Sequence, residues 1–321
     1  MKALVRSFVS VLSAVITVCL CIGVFAESAA SASVSVSAAG GENKGITVKD
    51  AHGRTVRLSA PAKRIVALAP GDCEILFAIG AGNSLVAAGD SCDRPEAVRS
   101  LPSVSSGSEI NIEQILSLSP DLVVIFEEPR SDEHAQMLAS AGVPAVITLA
   151  NNIPSTFDMI RLLGRATGKD AEAEALISDM QKTFDRITAA SGNTGKTIFF
   201  EVSPLAEGLR TAGRNTFMDD IAKICGLTNI FSDVDGWAAV SQEQVIERNP
   251  DYILAVPYSN NGPEYVKEII SRPGWNLTNA VRLGNIGYAE TNEITRPGPR
   301  LREAAIHVFQ LTGPDSAKGL E

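Results

Sequence analysis

The fold is decided by a stretch that occurs twice in the chain, Asn111-Ile-Glu-Gln-Ile-Leu-Ser-Leu-Ser-Pro-Asp-Leu-Val-Val-Ile125 and Ser241-Gln-Glu-Gln-Val-Ile-Glu-Arg-Asn-Pro-Asp-Tyr-Ile-Leu-Ala255. In each copy a short amphipathic helix ends before Pro-Asp and leads into an apolar run of strand length. A helix followed by a buried strand, used twice, predicts an α/β fold of two similar lobes with largely parallel sheets. A ligand cleft is expected between the lobes.

A single long helix is predicted to join the two lobes. Between the two copies, apolar residues recur at three- and four-residue steps: Ala173, Leu176, Ile177, Met180, Phe184 and Ile187. About 20 residues of helix reach ~30 Å, which is the width of a small domain. The pattern therefore predicts an N-terminal lobe at 46–168, a stiff connecting helix at 169–191 and a C-terminal lobe at 192–321.

The first 26 residues have the composition of an export signal. Lys2 and Arg6 precede an apolar run that ends in Val24-Phe25-Ala26, with small residues at the expected cleavage positions. We predict a signal peptide over 1–26 and a flexible tether over 27–45, where Ala, Ser and Gly dominate. The apolar run is also nearly long enough to stay as an uncleaved anchor. Either way the protein is expected at the periplasmic or extracellular face of the cytoplasmic membrane.

Charge and histidine spacing exclude several classes of partner. Cleavage after residue 26 removes Lys2 and Arg6 and leaves 26 basic against 37 acidic residues, a net charge of −11. That balance argues against nucleic acid and anionic membranes as partners. His52, His134 and His307 lie far apart, and no Cys-x-x-Cys accompanies them. We therefore predict no metal site and no resident cofactor.

No catalytic signature is present in the sequence. The Gly-x-Ser-x-Gly turn of α/β hydrolases does not occur. Asp72, Asp93, Glu127 and Glu128 do fall on loops after predicted strands, where carboxylates can perform acid/base chemistry. An exported two-lobe enzyme therefore stays open as an alternative, as does a sensory or scaffold domain, but the missing signature favours binding over catalysis.

The cysteines leave their own question open. Three would remain after cleavage, Cys73, Cys92 and Cys225, so at least one is unpaired in a monomer. Cys73 and Cys92 are either a disulfide or soft ligands where two loops meet, or else two unrelated small residues, and the last is the favoured interpretation. Asp72 or Cys73 is expected to open a helix over 74–80.

From about Ile46 onward the chain resembles the substrate-binding proteins of ABC importers for iron complexes and cobalamin. Besides the two copies, the resemblance is carried by Arg64–Gly80, Ala139–Val143, Thr211–Gly213, Gly226–Phe231, Trp237–Asp251 and Arg296–Arg300. It implies two lobes joined by one rigid helix in a monomeric receptor. The receptor would capture a small metal chelate containing cobalt or iron and deliver it to a dimeric permease.

The resemblance places Phe126, Trp237 and Arg296 around the cleft. The loops after predicted strands add further candidates to the predicted ligand-binding set, namely Pro70, Asp72, Cys73, Cys92, Asp93, Glu127 and Tyr258. Trp237 is expected in a loop after Asp235-Gly236, and Phe126 is equally consistent with strand core. Ser91 stands where cobalamin binders carry a ring, and only 5% of the chain is aromatic. The acidic loops favour a neutral or cationic corrinoid over an anionic siderophore, and haem would require an axial ligand such as Tyr258.

Permease docking is the last implication. In the family, one carboxylate on the outer surface of each lobe docks against permease arginines. By position these are Glu243 and either Asp132 or Glu133, whereas the internal repeat makes Glu113 the counterpart of Glu243. Each of these acids is also explained as a solvated residue at a helix start, where the helix dipole favours negative charge.

Overall fold

The computed structural model describes residues 45–106, 109–257 and 261–313. The predicted signal peptide, nearly all of the predicted tether, and Tyr258 lie outside the described residues. In these ranges, no helix has both the length and the apolar character that crossing a bilayer would require. We use first lobe for residues 46–168 and second lobe for 192–321, and these boundaries stay a prediction.

Most strands are short, between two and six residues. They are β1 (Ile46–Lys49), β2 (Thr55–Leu58), β3 (Ile65–Ala67), β4 (Leu85–Ala88), β5 (Ser105–Ser106), β6 (Glu109–Ile110), β7 (Leu122–Phe126), β8 (Ala145–Thr148), β9 (Lys196–Glu201), β10 (Arg210–Ala212), β11 (Leu227–Asn229), β12 (Trp237–Ala239), β13 (Tyr252–Ala255) and β14 (Ile286–Tyr288).

Helices fill the connections between these strands. They are α1 (Pro70–Ala78), α2 (Ile112–Ser117), α3 (Ser131–Ser140), α4 (Ile153–Thr167), α5 (Asp170–Ser191), α6 (Phe217–Ile224), α7 (Gln242–Arg248), α8 (Gly262–Ser271), α9 (Asn279–Leu283), α10 (Thr291–Ile294) and α11 (Leu301–Thr312). Short 3₁₀ helices occur at Gly82–Ser84, Glu96–Ser100, Leu205–Glu207 and Trp275–Leu277.

Each lobe contains a four-stranded parallel sheet, and the two sheets have the same topology. The strand order is β4-β3-β7-β8 in the first lobe and β11-β9-β13-β14 in the second. In both, the first strand along the chain lies between the second and the third. The α/β fold with parallel sheets that the repeated stretch predicted is therefore confirmed.

The repeated stretch occupies the same position in both lobes. Asn111 and Ser241 cap the helices α2 and α7 by accepting a hydrogen bond from the backbone of the residue three positions later. Of the ten positions from 111 to 120, nine have the same burial class as their counterparts from 241 to 250. Asp121 accepts hydrogen bonds from backbone amides just before β3, and Asp251 accepts one from the amide of Thr197 in β9. Each Pro-Asp thus fastens the central strand of its sheet.

The connecting helix α5 is part of a core that both lobes share. Its buried side chains are Ala173, Ile177, Met180, Thr183, Phe184 and Ile187. They belong to one continuous apolar cluster that also contains Ile65 and Leu122 of the first lobe and Phe200 and Leu254 of the second. A smaller cluster covers the other face of each sheet. The helix is therefore packed along its length between the lobes.

Two local predictions were wrong. α1 begins at Pro70, four residues earlier than expected, because proline fits the first helical position, where no amide hydrogen is needed. Asp72 therefore lies in the first turn instead of capping it. Trp237 does not lie in a loop but opens β12, which pairs with β10 in a short antiparallel ribbon.

Candidate functional site

The loops that leave the carboxyl ends of the strands meet between the two lobes. In open parallel sheets with this strand order, ligands bind outside the carboxyl ends, where the chain order reverses. Loops after β4 and β8 in the first lobe contact segments after β10 and β14 in the second, at two separate places. The facing loops between these contacts form the candidate site.

The first contact is a group of ion pairs between the lobes. Arg300 donates two hydrogen bonds of 2.9 Å to the carboxylate of Glu74 in α1. Arg296 binds Asp93 and lies 3.5 Å from the same Glu74 carboxylate. Asn292 donates to the second oxygen of Asp93 at 3.1 Å. Two first-lobe carboxylates are thus neutralised by arginines of the second lobe.

The electrostatics of these groups follow from that pairing. Partial burial acts to raise the pKa of Asp93, but the hydrogen bond and charge of Arg296 outweigh it, and the pKa is lowered. Burial acts to lower the pKa of Arg300, and Glu74 reverses this by accepting its hydrogen bonds. Asp93 and Arg300 are therefore both charged at neutral pH, and separating the lobes would expose these charges to water.

The backbones of the two lobes also approach each other closely at this contact. A Cβ atom placed on Gly71, in the first turn of α1, would lie 2.3 Å from the carbonyl oxygen of Pro297. Real carbon and oxygen atoms do not approach so closely, so only glycine permits this packing of the two lobes. Pro70 precedes it at the start of the helix and is half-buried.

The second contact joins the loop after β8 to helix α6. The amide of Phe217 donates to the carbonyl of Asn151 at 2.7 Å, and the amide of Ile153 donates to Asp220 at 3.1 Å. Trp237 packs edge-on against Phe217, with 5.4 Å between ring centroids. Its side chain is nevertheless 37% exposed, which leaves apolar ring surface available to a ligand.

Residues 65–291 match the model of a family described as periplasmic binding protein. The chain belongs to this periplasmic binding protein family. Its members are binding proteins that act outside the cytoplasm, so the predicted location is confirmed and the enzyme alternative is not supported.

The relatives have low sequence identity to this chain, but the matches cover most of both chains. An uncharacterized ABC transporter substrate-binding lipoprotein, YvrC of Bacillus subtilis, is 29% identical over 85% of this chain and 87% of its own length. A vitamin B12-binding protein of Pectobacterium carotovorum is 29% identical over 80% of this chain and 92% of its own. A possible iron-binding periplasmic protein of Staphylococcus epidermidis has a solved structure with a TM-score of 0.70 and 28% identity, covering 78% of this chain and 98% of that one.

Asp72 has the raised pKa that an enzyme would use, but its position does not suit catalysis. Its side chain is completely buried, and burial raises its pKa to about 7 against the opposing effect of a 3.2 Å hydrogen bond from Thr148. Within the described chain no group donates to its other oxygen. A carboxyl without access to solvent cannot meet a substrate, so this shift reflects burial in a binding protein.

The other predicted first-lobe residues lie at strand ends. Phe126, the last residue of β7, is half-buried and borders a cavity of about 30 Å³ with Leu68 and Ala69. Glu127 forms an ion pair with His52 of the β1–β2 hairpin. Its carboxylate is therefore already engaged within the first lobe.

The favoured interpretation of the sequence was that Cys73 and Cys92 are unrelated residues. In the structure their side chains are neighbours. Their Sγ atoms lie 3.2 Å apart, and each is within 4.0 Å of the carbonyl oxygen of Ala67. Because β3 and β4 pair in parallel, the helix after one strand and the loop after the other converge on this carbonyl. Cys225 is buried elsewhere, and its thiol donates to Ala305 at 3.6 Å.

The candidate docking carboxylates differ in what surrounds them. Asp132 lies 2.9 Å from His52, and Glu133 lies 3.0 Å from Arg130. Glu243 is exposed in the first turn of α7, where a backbone amide and Ser241 lower its pKa. Glu113 is exposed at the equivalent position of α2. The repeat, read in three dimensions, thus pairs Glu113 with Glu243.

A large cavity lies away from the predicted ligand residues. It measures about 1090 Å³ and is bordered by second-lobe residues of α8, β14 and α11, including Gly262, Tyr288 and Leu311. No residue of the predicted ligand set that the structure describes borders it. We favour the inter-lobe loops over this cavity, because only they bring both lobes to one ligand. Among the described residues, no group of three or more metal-ligating side chains occurs.

Sequence reasoning identified Asp93 and Arg296, which the structure brings together, but it missed Glu74 and Arg300 as partners. These two residues are 226 positions apart, so no local spacing relates them. The one available signal was Arg300 itself, at the end of the Arg296-Pro-Gly-Pro-Arg300 string.

Proposed function

We propose that this protein captures a cobalamin-like or iron-chelate ligand between its lobes and delivers it to the permease of an ABC transporter. The observation that carries the proposal is the meeting of both sets of strand-end loops around Arg296. The named relatives support it, since they include a vitamin B12-binding protein and an ABC transporter substrate-binding lipoprotein. The protein acts as a monomer that presents its loaded lobes to the permease.

The charge of the inter-lobe site and its exposed aromatic surface favour a cobalamin-like ligand over an iron chelate. Glu74 and Asp93 are neutralised by Arg296 and Arg300, so the site carries little net charge. A large, nearly neutral ring system suits such a site, with Trp237 as an apolar contact and Arg296 as a polar anchor. A strongly anionic siderophore would have to displace the acids from these arginines.

The ligand is tested by titration of protein freed of any bound molecule by unfolding and refolding. Cyanocobalamin, haemin and a ferric hydroxamate are added separately, and binding is followed by calorimetry and absorption. We expect cyanocobalamin to bind at least ~10-fold more tightly than the other two, a difference of about 1.4 kcal/mol. Tighter binding of haemin or the hydroxamate would change the ligand, and no binding of any of them would reject the ligand class.

The place of binding is tested with a matched pair of variants. Trp237→Ala removes an aromatic side chain at the inter-lobe site, and Tyr288→Ala removes one that borders the large second-lobe cavity. We expect affinity to fall ~10-fold or more in Trp237→Ala, because stacked ring contacts are lost, and to change little in Tyr288→Ala. The reverse result would move the ligand to the cavity.

For permease docking we propose Glu113 and Glu243. Both are exposed and lie in the first turn of the repeated helix, one on each lobe. Such an equivalent pair suits contact with two equivalent permease subunits. Asp132 and Glu133 already hold His52 and Arg130.

Docking is tested by ligand uptake in cells whose own copy of the gene has been deleted. Glu113→Lys and Glu243→Lys should reduce uptake by ~10-fold or more, because a like charge opposes the permease arginines, and should leave ligand affinity unchanged. Glu133→Lys is the matched control. Loss of uptake in that control, with normal uptake in Glu113→Lys, would return the docking site to α3.

A further inference from the structure

Two buried thiols lie directly beneath the ion pairs that join the lobes. The Sγ atoms of Cys73 and Cys92 are 3.2 Å apart, and the residues are 0% and 6% exposed. A disulfide bond is about 2.05 Å long, so the sulfur atoms need to approach by only ~1 Å. We propose that Cys73 and Cys92 form a disulfide bond when the protein is exported.

The position of the pair gives this bond a role. Cys73 immediately precedes Glu74, and Cys92 immediately precedes Asp93. Both acids contact the guanidinium of one residue, Arg296 of the second lobe. A covalent link between the two cysteines fixes the separation of the backbone positions that present these acids. The bond therefore holds the first-lobe side of the inter-lobe contact in a single geometry.

The location of the protein supplies the conditions for the reaction. Disulfides form and persist outside the cytoplasm, where thiol–disulfide oxidoreductases provide a reactive disulfide. The thiolate of one cysteine attacks that disulfide and releases one oxidoreductase thiol. The second cysteine then attacks the mixed disulfide and releases the other thiol. The two protein thiols are oxidised, the oxidoreductase disulfide is reduced to two thiols, and their two protons pass to the departing thiolates.

The reaction takes place while the chain is folding. In the folded protein, the hydrogen bond with Cys92 and then burial raise the pKa of Cys73, which leaves little reactive thiolate. Once formed, the bond is shielded from external reductants by the same burial. Cys225 contacts Ala305 instead and serves as the internal reference that stays reduced.

The chain offers a direct chemical test on the exported full-length protein. Free thiols are alkylated under denaturing conditions without reductant, and the protein is digested with trypsin. Both cysteines fall on one peptide, residues 65–99, because Arg94 precedes Pro95. We expect that peptide unalkylated and lighter than its reduced form by two hydrogen atoms, with Cys225 alkylated. Further cleavage after Glu74 should give two fragments that separate only on reduction.

Thermal unfolding gives a second, independent measurement. In the Cys225→Ala protein, reductant present during unfolding should lower the Tm by about 5 °C or more, because the closed loop between the two cysteines is released. The double variant that combines Cys73→Ala with Cys92→Ala should show no such fall in Tm. Two alkyl groups on peptide 65–99 without prior reduction would overturn the proposal, as would a bond from either cysteine to Cys225. Neither readout involves a ligand, so the result is independent of the proposed function.

Discussion

The two lobes have the same sheet topology, yet they neutralise a buried carboxylate differently. In the second lobe, Glu201 at the end of β9 is bound by Arg272 of the same lobe through two hydrogen bonds of 2.7 and 2.8 Å. In the first lobe, Glu74 has no such internal partner among the described residues and is bound by Arg300 of the other lobe. Glu201 thus has a cation within its own lobe, whereas Glu74 relies on a cation of the other lobe. The dependence runs both ways at the surface, since Glu290 of the second lobe pairs with Arg94 of the first.

This difference indicates where a ligand can act. Opening the lobes would leave the Glu201 pair intact but would strip Glu74 and Asp93 of their arginines. A ligand that enters between the lobes therefore competes for, or replaces, contacts on the first-lobe side. The second lobe supplies Arg296 and Arg300 to this contact.

The largest effect is expected from removing the internal partner in the second lobe. Arg272→Met leaves the carboxylate of Glu201, which is 0% exposed, without a cation and with the Tyr265 hydroxyl as a remaining hydrogen-bond donor. The free energy of unfolding should fall by about 3–5 kcal/mol. Denaturant unfolding followed by circular dichroism measures it. Lys267→Met removes an exposed cation from helix α8, which ends directly before Arg272, and as the control it should change stability by less than about 0.5 kcal/mol.

A double variant separates charge from packing in that result. Adding Glu201→Gln to Arg272→Met removes the unpaired charge while keeping the side-chain shape, so part of the lost stability should return. Equal instability of the double and single variants would show that Arg272 matters for its packing over Trp275 instead, where its guanidinium lies 4.5 Å from the ring.

The next effect concerns the first lobe's buried carboxyl, Asp72, whose neutral neighbour is Thr148. Its pKa is raised from 3.8 to about 7. Between these values the unfolded chain loses the proton while the folded chain keeps it, so the contribution of Asp72 to stability is fully present below about pH 4 and is lost as the pH rises to about 7. Asp72→Asn should remove this fall, worth up to about 4 kcal/mol.

The measurement for Asp72→Asn is denaturant unfolding of both proteins from pH 4 to pH 8. The free energy of unfolding of the variant should increase relative to that of the parent protein as the pH rises. Most of this increase should be complete above pH 7. Parallel curves across this range would show that the folded environment does not hold the Asp72 proton.

A smaller effect is expected at the backbone contact between the lobes. Gly71→Ala places a methyl group 2.3 Å from the Pro297 carbonyl, so the lobes must shift apart at a cost of about 1–3 kcal/mol. Gly298→Ala is the matched control at the same interface, because its nearest neighbour atom would be 3.8 Å away. Small-angle scattering should show an expanded molecule only for Gly71→Ala. Equal profiles for both variants would mean that the contact yields without moving the lobes.

The smallest effect compares the two copies of the repeat. Asp251 accepts hydrogen bonds from Thr197 and Asn279 and is mostly buried, whereas Asp121 makes its two backbone contacts at an exposed site. Asp251→Ala should therefore cost about 1 kcal/mol more than Asp121→Ala. Equal losses in denaturant unfolding would show that fastening the central strand is the whole role of both residues.

The fold was largely predictable because its signals are local and repeated. The Glu-Gln helices, the Pro-Asp stops and the apolar runs specify α2–β7 and α7–β13, and the apolar periodicity over 173–187 specifies α5. The β10–β12 ribbon was missed because three-residue strands carry no measurable alternation. Trp237 was placed in a loop for the same reason.

The candidate site was less predictable because its partners are distant in sequence. Asp93 was found from its position on a strand-end loop and Arg296 through the resemblance, whereas the pairing of Glu74 with Arg300 only became evident in the structure. Glu127 was predicted as a ligand-binding carboxylate from its strand-end position, but the sequence did not reveal that His52 of the β1–β2 hairpin pairs with it. Tertiary pairing of this kind leaves no trace in local spacing.

The shared core around α5 has a consequence for how the molecule melts. Phe184 of the helix belongs to the same apolar cluster as Ile65 and Phe200, one from each half of the gene product. Neither half can expose its side of that cluster to water without weakening the other. Heating should therefore give one calorimetric peak instead of two, and a truncated gene ending near residue 168 should yield an insoluble fragment.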